Sequence, residues 1–516
     1  MMQAAGSWGT NRAWIPMLLT VALYCVTAVT FACVAAIAIV HVDDRFDVGA
    51  ASGAMMALAA AARAGVWYPP VFQHGFYGGT RYMPLPILIE RVGAAAGGGY
   101  LTSAKLIVYA ANVALYTLVY LAARRRGAPR PIAAVLVAAV LSSTAGATTS
   151  FAIRWDSLAT ALQLGALVLM SSARSRKSEF AGGLSALAIA VKFTALWGPA
   201  AIVTWLLLRR RWSELGRFCA ALVLGVAALA AAFEALSHGR MAQQIVEFAF
   251  AGSTSSSALE GVHRINQLVI RNESELPLML ALALLSLIVA AARRRLGLYE
   301  LGLIYLIPIL FVVMRDQGAY ENHLIDLEVL GALVIAGAFR FELARRAALV
   351  RVVAITACLL LATGNALRYT LVPDARSAVS DAIHGRVDPR YATHPYPQLT
   401  SARSCTLFED ATIPVLSGRR PIVLDAFIVH RLQTKNRAAL THLIARIDAR
   451  EFHALVLDDR LTDLGWFSTL DFGTALASAM ERNYRLATAS PGGYFVYLPR
   501  GDGSQRPCGQ PLTTWG

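Results

Sequence analysis

Ala36-Ile37-Ala38-Ile39-Val40-His41-Val42-Asp43-Asp44-Arg45-Phe46-Asp47 is the junction from which the rest of the chain can be read. The apolar run ending here begins near Ile15, and its core of about 25 residues exceeds the 7 to 15 of a signal-peptide core, so it reads as an uncleaved membrane anchor. An anchor needs no carboxylates at its end. Asp43, Asp44 and Asp47 are therefore the first sign of a site rather than a scaffold.

Composition agrees with a membrane setting. Of 516 residues 56% are hydrophobic and only 15% charged, with a mean hydropathy of +0.52, which is too little charge for a soluble chain of this length. The net charge of +15 comes from short arginine clusters between apolar runs, a topology signal rather than a nucleic-acid footprint. Facing Arg124-Arg125-Arg126 with Arg130, then Arg174, Arg176 and Lys177, Arg209-Arg210-Arg211 with Arg217, Arg293-Arg294-Arg295, and Arg340, Arg345 and Arg346 to the cytoplasm puts spans near 104–123, 131–149, 155–173, 214–236, 277–293, 298–314, 321–339 and 348–370. The roughly 29 residues from Phe180 to Leu208 cannot cross twice, and predict a pair of short helices bent near Lys192-Phe193-Thr194. With the anchor this makes an α-helical polytopic protein of about eleven membrane segments. On this topology the N-terminus is expected in the cytoplasm and the C-terminus outside it.

Two outer parts follow. The first outer loop, 42–103, holds an Ala/Met-rich stretch from Ala50 to Ala64 that reads as a helix lying on the membrane. Aromatic turns at Trp67-Tyr68-Pro69-Pro70 and Gly75-Phe76-Tyr77-Gly78-Gly79 come next, then a second surface helix from Leu85 to Gly93. The membrane part is taken as 1–372, and 373–516 as a small α/β domain outside the membrane. In that domain Pro421-Ile422-Val423-Leu424, Ala454-Leu455-Val456-Leu457 and Tyr494-Phe495-Val496-Tyr497 suit strands, and Asn436 to Ala449 suits a helix. Cys25, Cys33, Cys219 and Cys358 lie in apolar runs as small buried residues. Cys405 and Cys508 lie outside them, in an oxidising compartment on this topology, and are expected to pair.

The same topology gathers charges on the outer face: the acidic turn, Arg81-Tyr82, Arg154-Trp155-Asp156, Lys192 about 20 Å above the inner face at 1.5 Å per residue, and Arg315-Asp316-Gln317-Gly318-Ala319-Tyr320-Glu321-Asn322-His323, with Asp326 and Glu328 deeper. A charge at the centre of a bilayer costs about 2.5–3.5 kcal/mol even on a permissive scale, so deep charges face a partner, a cavity or a ligand. Cations suit a phosphate diester, and a carboxylate opposite it suits a base for an acceptor hydroxyl or a hold on a divalent ion. Transfer of a sugar from a lipid phosphate needs both. No His/Cys cluster has zinc spacing, and no P-loop or Rossmann glycine pattern is present, so no nucleotide cofactor is expected and no nucleic-acid partner.

In order and sidedness these pieces resemble the GT-C class of integral-membrane glycosyltransferases, which includes the aminoarabinose transferase and protein O-mannosyltransferases. The matching residues are Asp43-Asp44 after the first span, the long outer loop, Arg81-Tyr82-Met83-Pro84-Leu85 (similar to that class's Tyr-x-Pro-Leu), Asp156 in the second outer loop and the Lys192-Phe193-Thr194 bend. The match spans roughly residues 15 to 370, and the tail looks like the outer domain many such enzymes carry. The resemblance implies inverting transfer from a polyprenyl-phosphate sugar to a lipid, glycan or protein acceptor outside the cytoplasmic membrane. On it, Asp43 is the expected base, Asp44 its partner or, with Asp43, a ligand of Mg or Mn, and Asp156 an acceptor or metal residue. Arg81, Tyr82, Arg154, Lys192, Glu321 and His323 are the expected substrate contacts, while Asp47 is read as a solvated loop residue. Helix ends in water, ion pairing across a helix start and interfacial anchoring are the bland readings of the same residues. A secondary transporter or lipid flippase is the alternative function, since these also use broken helices at depth; against it stand one bent hairpin and no visible repeat.

Overall fold

The computed structural model describes residues 14–73, 75–172, 176–249, 258–268, 276–316, 318–340, 345–401, 404–469, 471–489, 493–501, 508 and 510–515. Arg174 and Gln317, named above, lie outside them. In chain order come α1 (Trp14–Val40), α2 (Ala50–Arg63), β1 (Phe72–Gln73), β2 (Phe76–Tyr77), α3 (Pro84–Gly93), α4 (Gly99–Arg125), α5 (Arg130–Ser142), α6 (Thr144–Phe151), α7 (Asp156–Met170), α8 (Lys177–Val191), α9 (Trp197–Leu208), α10 (Trp212–Ser237), α11 (Arg240–Ala249), α12 (Ala258–Asn266), α13 (Leu276–Ala292), α14 (Leu298–Val313), α15 (Ile325–Gly337), α16 (Arg345–Ala366) and α17 (Val372–Ile383).

Among the described residues, five runs are long and apolar enough to cross a membrane: Met17–Val40, Pro84–Arg125, Trp212–Ser237, Glu321–Arg340 and Val350–Ile383. Four shorter apolar helices, α7, α9, α13 and α14, stand beside them. This is a multi-pass membrane protein. The expected span at 131–149 is instead a broken one, α5 and α6 meeting at 72°. Ser143 makes that bend: its Oγ accepts from Gly146 N at 2.9 Å to cap α6, and its hydroxyl contacts the carboxylate of Glu328. Glu328 thus sits at the positive end of a short helix, which explains a carboxylate on α15, a helix buried along its whole length. The α8–α9 pair breaks at Lys192, whose φ of −147° and ψ of 115° end α8 in extended backbone. By contrast α10 buries only Phe218, Phe233 and Ser237, the inverted exposure of a helix set against lipid.

Beyond α17 lie β3 (Thr406–Phe408), α18 (Thr412–Leu416), α19 (Ala426–Lys435), α20 (Arg437–Asp448), β4 (Ala454–Leu457), α21 (Leu464–Thr469), α22 (Thr474–Asn483), β5 (Tyr484–Ala489) and β6 (Phe495–Pro499). The sheet order is β3-β4-β6-β5, with β3 parallel to β4 and the other pairs antiparallel. Cys405, just before β3, is bonded to Cys508, with a Cα–Cα distance of 4.8 Å.

Pro421–Leu424 is not a strand of this sheet. Its Val423 bridges Tyr77 from the first outer loop, with Tyr77 N donating to Ile422 O at 2.8 Å and Leu424 N to Tyr77 O at 2.9 Å. The aromatics of that loop, expected at the membrane interface, are buried instead: Trp67, Tyr68, Phe76 and Tyr77 are all under 5% exposed. Tyr77 Oη lies 2.6 Å from His442 Nδ1, and Arg446 of α20 donates to Gly75 O at 3.1 Å. The α2 helix is likewise covered. Residues Ser52 to Ala62 are buried, and a Cβ on Gly53 would lie 2.2 Å from Thr412 N of α18. Small side chains suit a helix at the membrane surface and one sandwiched between two parts of a protein equally well, and only contacts from far along the chain separate the two.

Candidate active site

The acidic turn is built before any substrate chemistry is considered. Asp44 accepts from Phe46 N at 2.8 Å, an Asx-type turn, and its other oxygen meets His41 Nδ1 at 2.6 Å. Arg45 points away and is 3% exposed. It donates to Ala392 O at 2.6 Å, Arg390 O at 2.9 Å and Tyr494 Oη at 2.6 Å, and Tyr494 in turn donates to Asp410 Oδ2 at 2.8 Å. Asp43 is exposed. Asp47 has φ +58°, a left-handed conformation tolerated by Asp and costly for most residues. Its side chain keeps an open face although protein surrounds it. That enclosure lifts its carboxyl to about 7, against the pull of Arg154 and Lys105 and with help from Asp374 and Glu321.

A second group lies where α6, α7, α8 and the turn Glu321–Leu324 converge. Asp156 opens α7, where the helix dipole favours a carboxylate. Its two oxygens take Lys192 Nζ at 2.6 Å and Asn322 Nδ2 at 2.9 Å. Lys192 also lies 4.0 Å from Asp326, which accepts from the Thr160 hydroxyl at 2.7 Å. The deep lysine is thus balanced by two carboxylates, and a buried charge is tolerated in such a set. His323 lies within electrostatic reach of Lys192, Asp156, Arg81 and Arg154.

Arg154 joins the two groups. It acts on Asp47 and on Asp156, no carboxylate among the described residues comes within ion-pair distance of it, and its Nε is buried with no hydrogen-bond partner. Arg81 is differently placed: it pairs with Asp316 at 2.8 Å and lies over the ring of Phe427 at 4.4 Å, so α19 and the loop after α14 hold it. Tyr82 is half-buried, its carbonyl accepting from Tyr68 Oη at 2.8 Å; burial pushes its phenol up and keeps it a donor.

No protein-family model matches the sequence, and no curated protein matches it. Among solved structures, ArnT from Cupriavidus metallidurans bound to undecaprenyl phosphate matches with a TM-score of 0.59 at 13% identity, over 92% of this chain and 98% of that one. The apo form of the same protein matches with a TM-score of 0.55 at 15% identity, over 86% and 92%. The chain has the fold of ArnT. The likeness is one of fold and extends over most of the chain.

Within this fold, Arg154 lies within electrostatic reach of Asp47 on one side and of Asp156, Lys192 and His323 on the other, Glu321 reaches Asp47, and Arg81 acts on His323 and Tyr82. The fit of a divalent ion at Asp43 and Asp44 is poor. Asp44 is engaged by His41, Phe46 N and Lys105, and no group of three or more His, Cys, Asp or Glu among the described residues could hold a metal. No step below is therefore assigned to one. Sequence reading passed over Lys105, although a lone lysine in the apolar run 104–123 is itself a signal. It also passed over Arg45 and Phe427, for which no local pattern exists because their partners lie hundreds of residues away.

Proposed function

We propose that the protein is a membrane glycosyltransferase that moves a sugar from a polyprenyl-phosphate donor to an acceptor hydroxyl at the outer face of the cytoplasmic membrane. The observation that carries this reading is an uncommitted cation, Arg154, whose charge reaches both Asp47, a carboxylate with an open face, and Asp156 of the Asp156–Lys192–Asp326 set. Asp47 takes the proton of the acceptor hydroxyl as that oxygen bonds to the anomeric carbon. The bond from that carbon to the phosphate oxygen breaks on the opposite side, inverting the centre. The electron pair leaves with the polyprenyl phosphate, and Arg154 meets its added negative charge. A carboxyl near 7 suits a base working at neutral pH. An apolar groove of about 580 Å³ between α1 and α17, lined by Ala32, Cys33, Ala36, Ala375 and Val379 among others, lies about two turns along α1 from the acidic turn and suits a hydrocarbon chain. The fold likeness to ArnT, whose structure holds undecaprenyl phosphate, favours this over a transporter.

Labelled polyprenyl-phosphate sugars supplied to proteoliposomes test it. Asp47→Asn is expected to slow transfer by about 10²- to 10⁴-fold, and Arg154→Met to weaken donor binding as well as rate. Loss in Asp43→Asn with normal Asp47→Asn would move the base to Asp43. Normal transfer in every variant, or no transfer by the wild type with any such donor, would end the glycosyltransferase reading.

A further inference from the structure

Lys105, on α4, is fully buried, and everything its ammonium touches belongs to the acidic turn. Nζ donates to His41 O at 2.6 Å and to Phe46 O at 3.2 Å, and lies 3.7 Å from Asp44 Oδ1. His41 O is among the last carbonyls beyond α1, at the negative end of a helix dipole, where a cation is favoured. Phe46 O belongs to the peptide that leads directly into Asp47. The ammonium therefore grips the turn at both ends.

We propose that Lys105 is a positioning residue for glycosyl transfer, fixing the turn so that Asp47 stands in its left-handed conformation within reach of Arg154 and holding a positive charge beside it. This rests on the transferase reading above. A fully buried lysine with three acceptors from the six residues His41–Phe46 is costly to bury for capping alone, since a neutral polar side chain could satisfy a carbonyl without desolvating a charge. Its field reaches Asp47 directly. The other charged or titratable groups around that carboxylate are Asp43, Asp44 and His41 at the turn, Tyr109 one turn along α4, Arg154 before α7, Glu321 before α15 and Asp374 on α17. Arg154 and Lys105 are the two cations that act on it. Arg154 stands where the substrate phosphate is proposed to bind. Lys105 is fully buried and has no route to substrate.

The test is the pH dependence of transfer in proteoliposomes for wild type, Lys105→Met and Lys105→Arg. The expected result is that Lys105→Met lowers kcat with little change in donor KM and moves the acid limb of the rate profile upward by about one pH unit, while Lys105→Arg keeps the limb within a few tenths of its wild-type position. A limb unmoved in a folded Lys105→Met, shown by wild-type elution and melting in detergent, would overturn the proposal. Should Lys105→Met not fold, Lys105→Arg and Lys105→Gln decide: equal limbs in these two overturn it, an upward shift confined to Gln supports it. If Asp47→Asn transfers normally, the failure belongs to the base assignment instead.

Discussion

Asp44 and Asp47 differ by three positions and by everything that surrounds them. Asp44 is spent on holding the turn, through His41 and Phe46 N, so Asp44→Asn is expected to cost stability first and rate second, the reverse of Asp47→Asn; melting temperature and kcat measured on both variants check this. For Asp47 as the proposed base, a carboxyl raised to about 7 by its surroundings is active when ionised. Transfer should therefore rise with pH through about 7, and the rate profile of the wild type reads it directly. Away from the site, Arg126 and Glu300 form an ion pair with both residues at most 5% exposed, and the guanidinium lies over the Tyr299 ring at 4.9 Å. Arg126→Ala leaves a buried carboxylate without its ion-pair partner, an expected loss of about 3–5 kcal/mol, visible as a lower melting temperature in detergent. Sequence reading put Arg126 among the cytoplasm-facing cations, which the ion pair with α14 refines: charge sign is legible in a sequence, a partner 174 residues away is not.

At the scale of elements, periodicity and charge spacing located most helices within a few residues, and the bent pair α8–α9 was foreseen from length alone. The α5–α6 break was not, because Ser143 and Glu328, which make it, carry no local breaker signal. The strand β3 was also missed, being only three residues long and parallel to a partner far along the chain. One element contact offers a sharp test. A Cβ on Gly318 would fall 2.7 Å from Arg81 Nη2 and 2.9 Å from the Phe427 ring, so Gly318→Ala should push α19 off Arg81. Reduced transfer with unchanged helix content, measured by activity and circular dichroism, is the expected outcome.

For the whole molecule, the C-terminal sheet supplies a pH dependence of its own. Glu409 after β3 and nearby Asp471 are buried, with half-buried Asp458 after β4 beside them. Burial, then mutual repulsion, raises Glu409 and Asp458 well above the usual carboxylate range, and burial lifts Asp471 to about 7. The folded state therefore keeps protons that an unfolded chain has released above about pH 4. This contribution to stability is complete below that pH and is lost as pH rises through 7. His430, lowered by burial to about 4, acts oppositely, losing stability as pH falls from about 6.5. One histidine against three carboxyls leaves the first trend dominant, so melting measured from pH 5 to 8 should fall with pH.

The strand-like bridge of Tyr77 to Val423 also sets a schedule. A ribosome that has just finished α17 has made every helix placed in the bilayer, yet the residues that anchor Arg45, Tyr77 and Arg81 from the other side, Tyr494, Val423 and Phe427, have still to be translated. The site's geometry is thus completed by the end of the chain, and a nascent protein arrested before residue 423 should be inserted, helical and inert. Synthesis itself leaves the proposed site incomplete until the stretch from Val423 to Tyr494 has been made.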